Sequence, residues 1–205
     1  GSWALSVSLI FAAYGMLGTS ALAVSQVANV ICEMLQSVYF GVGNATAMLI
    51  GETLGQGNKE TAYLNGKKAV KVTWILNIVM TVLMILLSKP VAGIYNFSGE
   101  TNRLLIITLI AMALTITPKM LAYIYLVGIL RAGGDTFFCM KLELIVNMCI
   151  QVPLAYFAVL VLHTSLPLTM LIIEIGSLIK AAFCVPRYRS RKWLNIVTDS
   201  AEESR

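Results

Sequence analysis

The chain has 205 residues, 58% apolar and 12% charged, with a formal net charge of +5 and a mean hydropathy of +0.82. A soluble domain carries about twice that charged fraction, and a single water-excluded core has no room for so much apolar side chain, so the composition selects a membrane protein. The basic excess does not point to nucleic acid, because the lysines and arginines sit in short gaps between apolar runs, where they set orientation in a bilayer.

A span needs about 20 apolar residues to cross a hydrocarbon core about 30 Å thick, and in lipid a helix satisfies its own backbone. Six runs qualify: residues 3–17, 21–50, 70–95, 104–130, 138–162 and 166–185. The first is short and reads as clipped, and residue 1 is Gly rather than Met, as at a truncation. The expectation is an all-α integral membrane protein: a six-transmembrane-helix lobe over residues 1–186, then a tail over 187–205. That tail is basic first and acidic later, with Asp199, Glu202 and Glu203 near its end.

The gaps differ in charge. Lys59, Lys67, Lys68 and Lys71 follow the second run, Arg131 and Lys141 lie around the next gap on that side, and Arg187, Arg189, Arg191 and Lys192 follow the sixth. The alternate gaps hold Lys89, Arg103 and His163. The positive-inside rule places the more basic side, and with it both chain ends, in the cytoplasm of a cell-membrane protein. Residues 58–66 read as a separate short helix on that surface with Asn58 as N-cap, and Gly99, Glu100, Thr101 and Asn102 as an outer loop. Gly133, Gly134, Asp135 and Thr136 read as a turn, with Asp135 or Thr136 capping the fifth helix.

Cys32, Cys139, Cys149 and Cys184 lie in or beside apolar stretches without CxxC spacing, so they read as small buried side chains, with neither a disulfide nor a metal site. Gly41, Gly43, Gly51, Gly55 and Gly57 suit close helix packing and a tight turn better than nucleotide binding. No HExxH, P-loop or nucleophile elbow is present; no catalytic residue is assigned and the chain is not expected to be an enzyme.

An ionisable side chain within a span is costly and therefore a functional candidate. Glu33, Lys119, Glu143, Glu174 and Lys180 meet that description. Glu143 and Lys180 fall near helix ends, where reaching out to water is the commoner behaviour. Asn29, Glu33 and Gln36 are spaced i, i+4, i+7 and share one helix face, which suits a transport cavity and a static interhelical hydrogen-bond cluster about equally. Lys119 follows Pro118, which removes a backbone hydrogen bond and is expected to kink the fourth helix, with Thr115 and Thr117 available to re-satisfy the freed groups. Lys119 is expected to pair with Glu33 or Glu174 in at least one state. Pro153 marks a second such position, in the fifth span.

Gly43-Asn44-Ala45, the run Leu49-Ile50-Gly51-Glu52-Thr53-Leu54-Gly55-Gln56-Gly57 and Ala62 together resemble the segment after the eighth helix of multidrug and toxic compound extrusion (MATE) transporters. Gly128-Ile129-Leu130-Arg131-Ala132-Gly133-Gly134-Asp135-Thr136 is similar to the loop after their tenth helix, and residues 14–23 to the hairpin between the seventh and eighth. Pro153 and the ending Arg189-Ser190-Arg191-Lys192-Trp193 also fit, so the resemblance covers nearly the whole chain. It implies one lobe, the C-terminal half, of a twelve-helix antiporter whose partners are the bilayer, a small-molecule substrate and an N-terminal six-helix half outside this sequence. Cationic or amphipathic compounds would be exported by alternating access from a central cavity, driven by a Na+ or H+ gradient, with no cofactor beyond that ion.

The resemblance implies an acid early in the seventh helix, just ahead of residue 1, and another in the tenth near the position of Lys119 and Met120; no acid stands at the second of these, and Glu33 is the expected local substitute. The substrate- or ion-binding set is thus Glu33, Lys119, Asn29, Gln36 and Glu174, with Pro118 and Pro153 as hinges. A lipid-linked oligosaccharide flippase would favour a larger, more basic cavity, and a non-transporting scaffold subunit would lack buried ionisable groups. Tyr123, Tyr125, Tyr156 and Phe157 could line a drug site, although such aromatics more often pack or face lipid.

Overall fold

The computed structural model describes residues 2–95 and 97–194, so Asp199, Glu202 and Glu203 of the expected acidic tail lie outside the described residues. Among the described residues all regular structure is helical: α1 (Ser2–Gly15), α2 (Thr19–Gly55), α3 (Lys59–Ile94), α4 (Gly99–Leu130), α5 (Thr136–Leu160) and α6 (Leu166–Arg189). The last five are long and apolar enough to cross a membrane. Helix α1, with 14 residues, rises about 21 Å and is shorter than the hydrocarbon core. Short connections make successive helices antiparallel, so the loops after α2 and α4 and the end of α6 share one basic end of the bundle.

Helix α4 is the hub, packing against α2, α3, α5 and α6. Its Leu105, Leu109, Ile116, Met120, Ile124, Ile129 and Leu130 are fully or almost fully buried. Helix α3 instead presents Trp74, Ile75, Ile78, Val82 and Leu86 outward, each at least half exposed. In water such a face would be a large unpaid hydrophobic surface; in a bilayer it is the natural contact with acyl chains. The chain is a multi-pass membrane bundle.

Helix ends follow capping and packing more than hydropathy. The expected separate helix over residues 58–66 does not exist as such: Asn58 accepts the Thr61 backbone N–H at 3.0 Å and α3 runs unbroken from Lys59. Gly66 fits inside it because a Cβ there would come within 3.1 Å of the Tyr188 ring. Likewise Gly99 to Asn102 are not an outer loop but the first turn of α4, where Glu100 complements the helix dipole and the Ser98 and Thr101 hydroxyls bond at 3.0 Å. Asp135 occupies the N-cap position of α5 without capping it; its carboxylate is taken by Arg187, at 2.5 and 3.1 Å. Cys149 is exposed rather than buried, while Cys32, Cys139 and Cys184 are buried free thiols.

The glycines divide. Gly43 brings α2 against α4, since a Cβ would lie 2.7 Å from the Tyr123 ring, and Gly57 takes a positive φ of 76° in the turn after α2. Gly41, Gly51 and Gly55 meet nothing within 4 Å, so packing does not account for them.

Two stretches wind more widely, as π-helix: Ile124–Leu130 in α4 and Val146–Gln151 in α5. The second ends two residues before Pro153, whose ring and missing N–H disfavour a regular turn there. The first begins six residues beyond Pro118, through which α4 remains helical. Thr115 does not compensate Pro118: its hydroxyl donates to the Met112 carbonyl at 3.0 Å, not to the Leu114 carbonyl that Pro118 frees.

The basic end is tied together by the end of α6 and the residues after it. Tyr188 donates to the Tyr63 carbonyl at 2.8 Å and stacks on its ring; buried Trp193 donates to the Tyr188 carbonyl at 2.9 Å and covers Gly133. Arg191 pairs with Glu60 at 2.8 Å and lies over the Tyr63 ring. This part of the tail is therefore structural: it joins the start of α3 to the loop between α4 and α5.

Gly133→Ala should lower the thermal midpoint in detergent micelles by several degrees, since the new methyl overlaps Trp193 and overpacking costs about 1–3 kcal/mol. Gly51→Ala, in open space, should leave it unchanged or raise it slightly. Arg187→Met should destabilise by about 1–3 kcal/mol by stranding a nearly buried Asp135, whereas Arg131→Met, from a solvent-exposed pair with Glu143, should cost less than about 1 kcal/mol in the same assay.

Candidate binding cavity

Helices α1, α2, α4, α5 and α6 surround a cavity of about 620 Å³, and α3 contributes nothing to its wall. This volume is in the range that holds a drug-sized organic molecule. Its lining is mostly apolar or aromatic, including Ile10, Phe11, Tyr14, Phe40, Met112 and Met170. Against that background stand Glu33, Lys119, Glu143, Glu174 and Lys180: all five ionisable side chains singled out within the spans line this one space.

On α2, Asn29, Glu33 and Gln36 all reach the cavity, as their spacing requires. Asn29 donates to the Ser25 carbonyl at 2.8 Å, and buried Gln36 donates to the Cys32 sulfur at 2.7 Å. Glu33 is exposed while still lining the cavity. On α4, Lys119 is half-buried one residue after Pro118, with Thr115, Met120 and Tyr123 lining the same wall.

Helix α6 is irregular at Glu174, which interrupts the helix between Ile173 and Ile175. Its carboxylate accepts the Ser177 hydroxyl at 2.5 Å. Lys180 does not reach outward to water: its ammonium donates across the cavity wall to Asn147 of α5 at 2.6 Å. Glu143 does turn toward the basic end, pairing with Arg131 at 3.2 Å, while still forming part of the lining.

Among the described residues neither Lys119 nor Glu33 belongs to an ion pair, so the expected partnership of Lys119 with Glu33 or Glu174 is not made in this state. No three His, Cys, Asp or Glu side chains among the described residues group closely enough to hold a metal ion. The cavity thus offers three carboxylates and two amines, of which only Glu143 belongs to an ion pair among the described residues, on walls otherwise suited to an amphipathic solute.

Sequence reasoning passed over Asn147, Gln151, Ser177 and Tyr14, all of which line the cavity. A signal was present: Glu143, Asn147 and Gln151 recur at i, i+4, i+8, a polar face along α5. Of the four aromatics considered for a drug site, Tyr123 lines the cavity; Tyr125 is buried beside Tyr188, Tyr156 is half-buried in the core and Phe157 is exposed.

A sequence profile of the MatE family matches residues 2–157. The chain is 25% identical over 195 residues to an uncharacterized transporter, YisQ, of Bacillus subtilis (strain 168), covering 94% of this chain and 42% of that protein. Its fold is similar to a MOP superfamily transporter from Pyrococcus furiosus, described as having a binding pocket of reverse polarity that suggests a different function (TM-score 0.83, 18% identity, 93% of this chain and 43% of that one). It is also similar to multidrug resistance MATE family transporters of the MOP superfamily in an outward-facing conformation (TM-score 0.80, 16% identity, 95% and 44%) and an inward-facing one (0.79, 20%, 93% and 45%). The chain therefore spans less than half the length of these relatives. With the family profile covering most of its length, the chain belongs to the MatE family.

Proposed function

We propose that this chain is the C-terminal lobe of a twelve-helix antiporter that exports cationic or amphipathic small molecules by alternating access, driven by a Na+ or H+ gradient. The observation that carries this reading is the convergence of Glu33, Lys119, Glu143, Glu174 and Lys180 on one 620 Å³ space inside an otherwise apolar bundle. A static packing cluster would pair such groups off; here Lys119 and Glu33 have no ionic partner among the described residues. A scaffold subunit has no use for unpaired charge at that depth.

In this reading Glu33 and Glu174 bind the coupling cation or the cationic part of a substrate, but not both at once. Lys119 supplies the competing charge that favours release when the coupling ion is absent. Asn29 and Gln36 orient the solute by hydrogen bonds, and the widened turns near Pro118 and Pro153 give α4 and α5 room to flex. With three carboxylates against two amines the space is not the strongly basic one a flippase for lipid-linked oligosaccharides would favour.

A second lobe is supported by α2, whose exposed Gln26, Glu33, Ser37 and Asn44 fall along one side of the helix. Such a polar strip is ill placed against lipid and well placed against a companion half. The lobe's similar likeness to outward-facing and inward-facing transporters supports movement of the lobe largely as a body. The basic end, with Lys59, Arg131 and Arg189, lies in the cytoplasm of the cell membrane on this reading.

The test is efflux from proteoliposomes holding the complete protein, with Na+ and H+ gradients collapsed in turn. Efflux of a fluorescent organic cation should stop when one gradient is removed, and Lys119→Met, Glu33→Gln and Glu174→Gln should each slow it at least about tenfold. Gradient-independent flux, or unchanged rates and ion dependence in all three variants, would overturn the reading.

A further inference from the structure

The α3 lysines take no part in the cavity. At the basic end of the bundle Leu64, Lys67, Lys68, Val70, Lys71 and Trp74 line an open depression of about 460 Å³ on the outer surface. All three lysines are exposed and belong to none of the ion pairs among the described residues. Glu60, the only acid on α3, is held by Arg191. Three cations thus crowd one stretch of helix with no ionic partner among the described residues.

Their depth is fixed by the sequence below them. Between Lys71 and Lys89 lie seventeen uncharged residues, so the two lysines are about 27 Å apart along the helix, close to the thickness of a hydrocarbon core. Lys71 therefore stands at one headgroup layer, Lys67 and Lys68 about one turn farther out, and Trp74 just inside, where an indole prefers to lie. At 100° per residue Lys67, Lys71, Trp74, Ile78, Val82 and Ile85 share one face, and the four apolar members are 50%, 66%, 52% and 40% exposed. Amines, then an indole, then bare aliphatic surface follow one another in the order in which a phospholipid presents phosphate, glycerol esters and acyl chain.

We propose that this face is a binding site for an anionic glycerophospholipid, its phosphate on Lys67, Lys68 and Lys71, its ester region against Trp74 and one acyl chain along Ile78 and Val82. Charge complementarity selects an anionic over a zwitterionic headgroup, because a choline or ethanolamine would return a cation to a cluster with no acid paired to it among the described residues. The apolar strip directly below selects a lipid over a free phosphate, which would leave Trp74 and the isoleucines without a partner. The site is independent of the transport reading, since none of these residues lines the cavity.

Native mass spectrometry of the complete protein in micelles titrated with dioleoyl-phosphatidylglycerol, dioleoyl-phosphatidylcholine or inorganic phosphate tests the proposal. The unaltered protein should bind the glycerol lipid at least about tenfold more tightly than the choline lipid. The combined variant Lys67→Gln, Lys68→Gln, Lys71→Gln should lose that preference while keeping its thermal midpoint in lipid-free micelles, and Lys192→Gln should keep the preference. Equal binding of the two lipids, a preference that survives the triple variant, or displacement of the lipid by inorganic phosphate would each overturn it.

Discussion

Carrying a charge into hydrocarbon costs several kcal/mol, and a helix can avoid that cost only by turning the charged side chain toward protein or water. In this chain the constraint acts on helices α2, α4, α5 and α6 at once. Each carries an acid or a lysine within a predominantly apolar run. Rotating any of them to expose Glu33, Lys119, Glu143, Glu174 or Lys180 to lipid would penalise the whole bundle, so the five side chains meet in one space. The unbroken apolar face of α3 is the complement of the same rule: with no charge between Lys71 and Lys89, α3 is free to lie outermost.

What holds the helices in those rotations is not the charge itself. At the hub, Gly43 and Gly128 let α2 and α4 approach closely, with the Gly43 carbonyl 3.4 Å from where a Cβ on Gly128 would stand. At the basic end, Tyr63, Tyr188 and Trp193 stack in a row, and Arg187 and Arg191 carry ion pairs to Asp135 and Glu60. None of the residues in this tie lines the cavity, so the contacts that hold this end of the lobe are separate from the space that Glu33 lines.

The helical, membrane-spanning class was legible because hydropathy responds to the solvent, and the solvent here is lipid. Helix ends were less so. The first turns of α3 are polar and were set apart from the span, yet an N-cap at Asn58 and packing of Gly66 on Tyr188 keep them continuous with it. The cavity was half legible. The face of Asn29, Glu33 and Gln36 stood out by its period, whereas Asn147 and Gln151 were each tolerable alone and only with Glu143 form a stripe. The pairing of Asp135 with Arg187, 52 residues apart, has no local signature; read locally, Asp135 is a helix cap.

The central claim is that the ionisable side chains face an internal, water-reachable space while the α3 face meets lipid. Single cysteines placed in a cysteine-free background and challenged with a charged, membrane-impermeant thiosulfonate in proteoliposomes test it most directly. Lys119→Cys and Glu174→Cys should be modified, faster than Ile78→Cys and Val82→Cys by at least about tenfold, because the reagent needs thiolate in water. Rapid labelling of the α3 positions with protection of positions 119 and 174 would contradict the account.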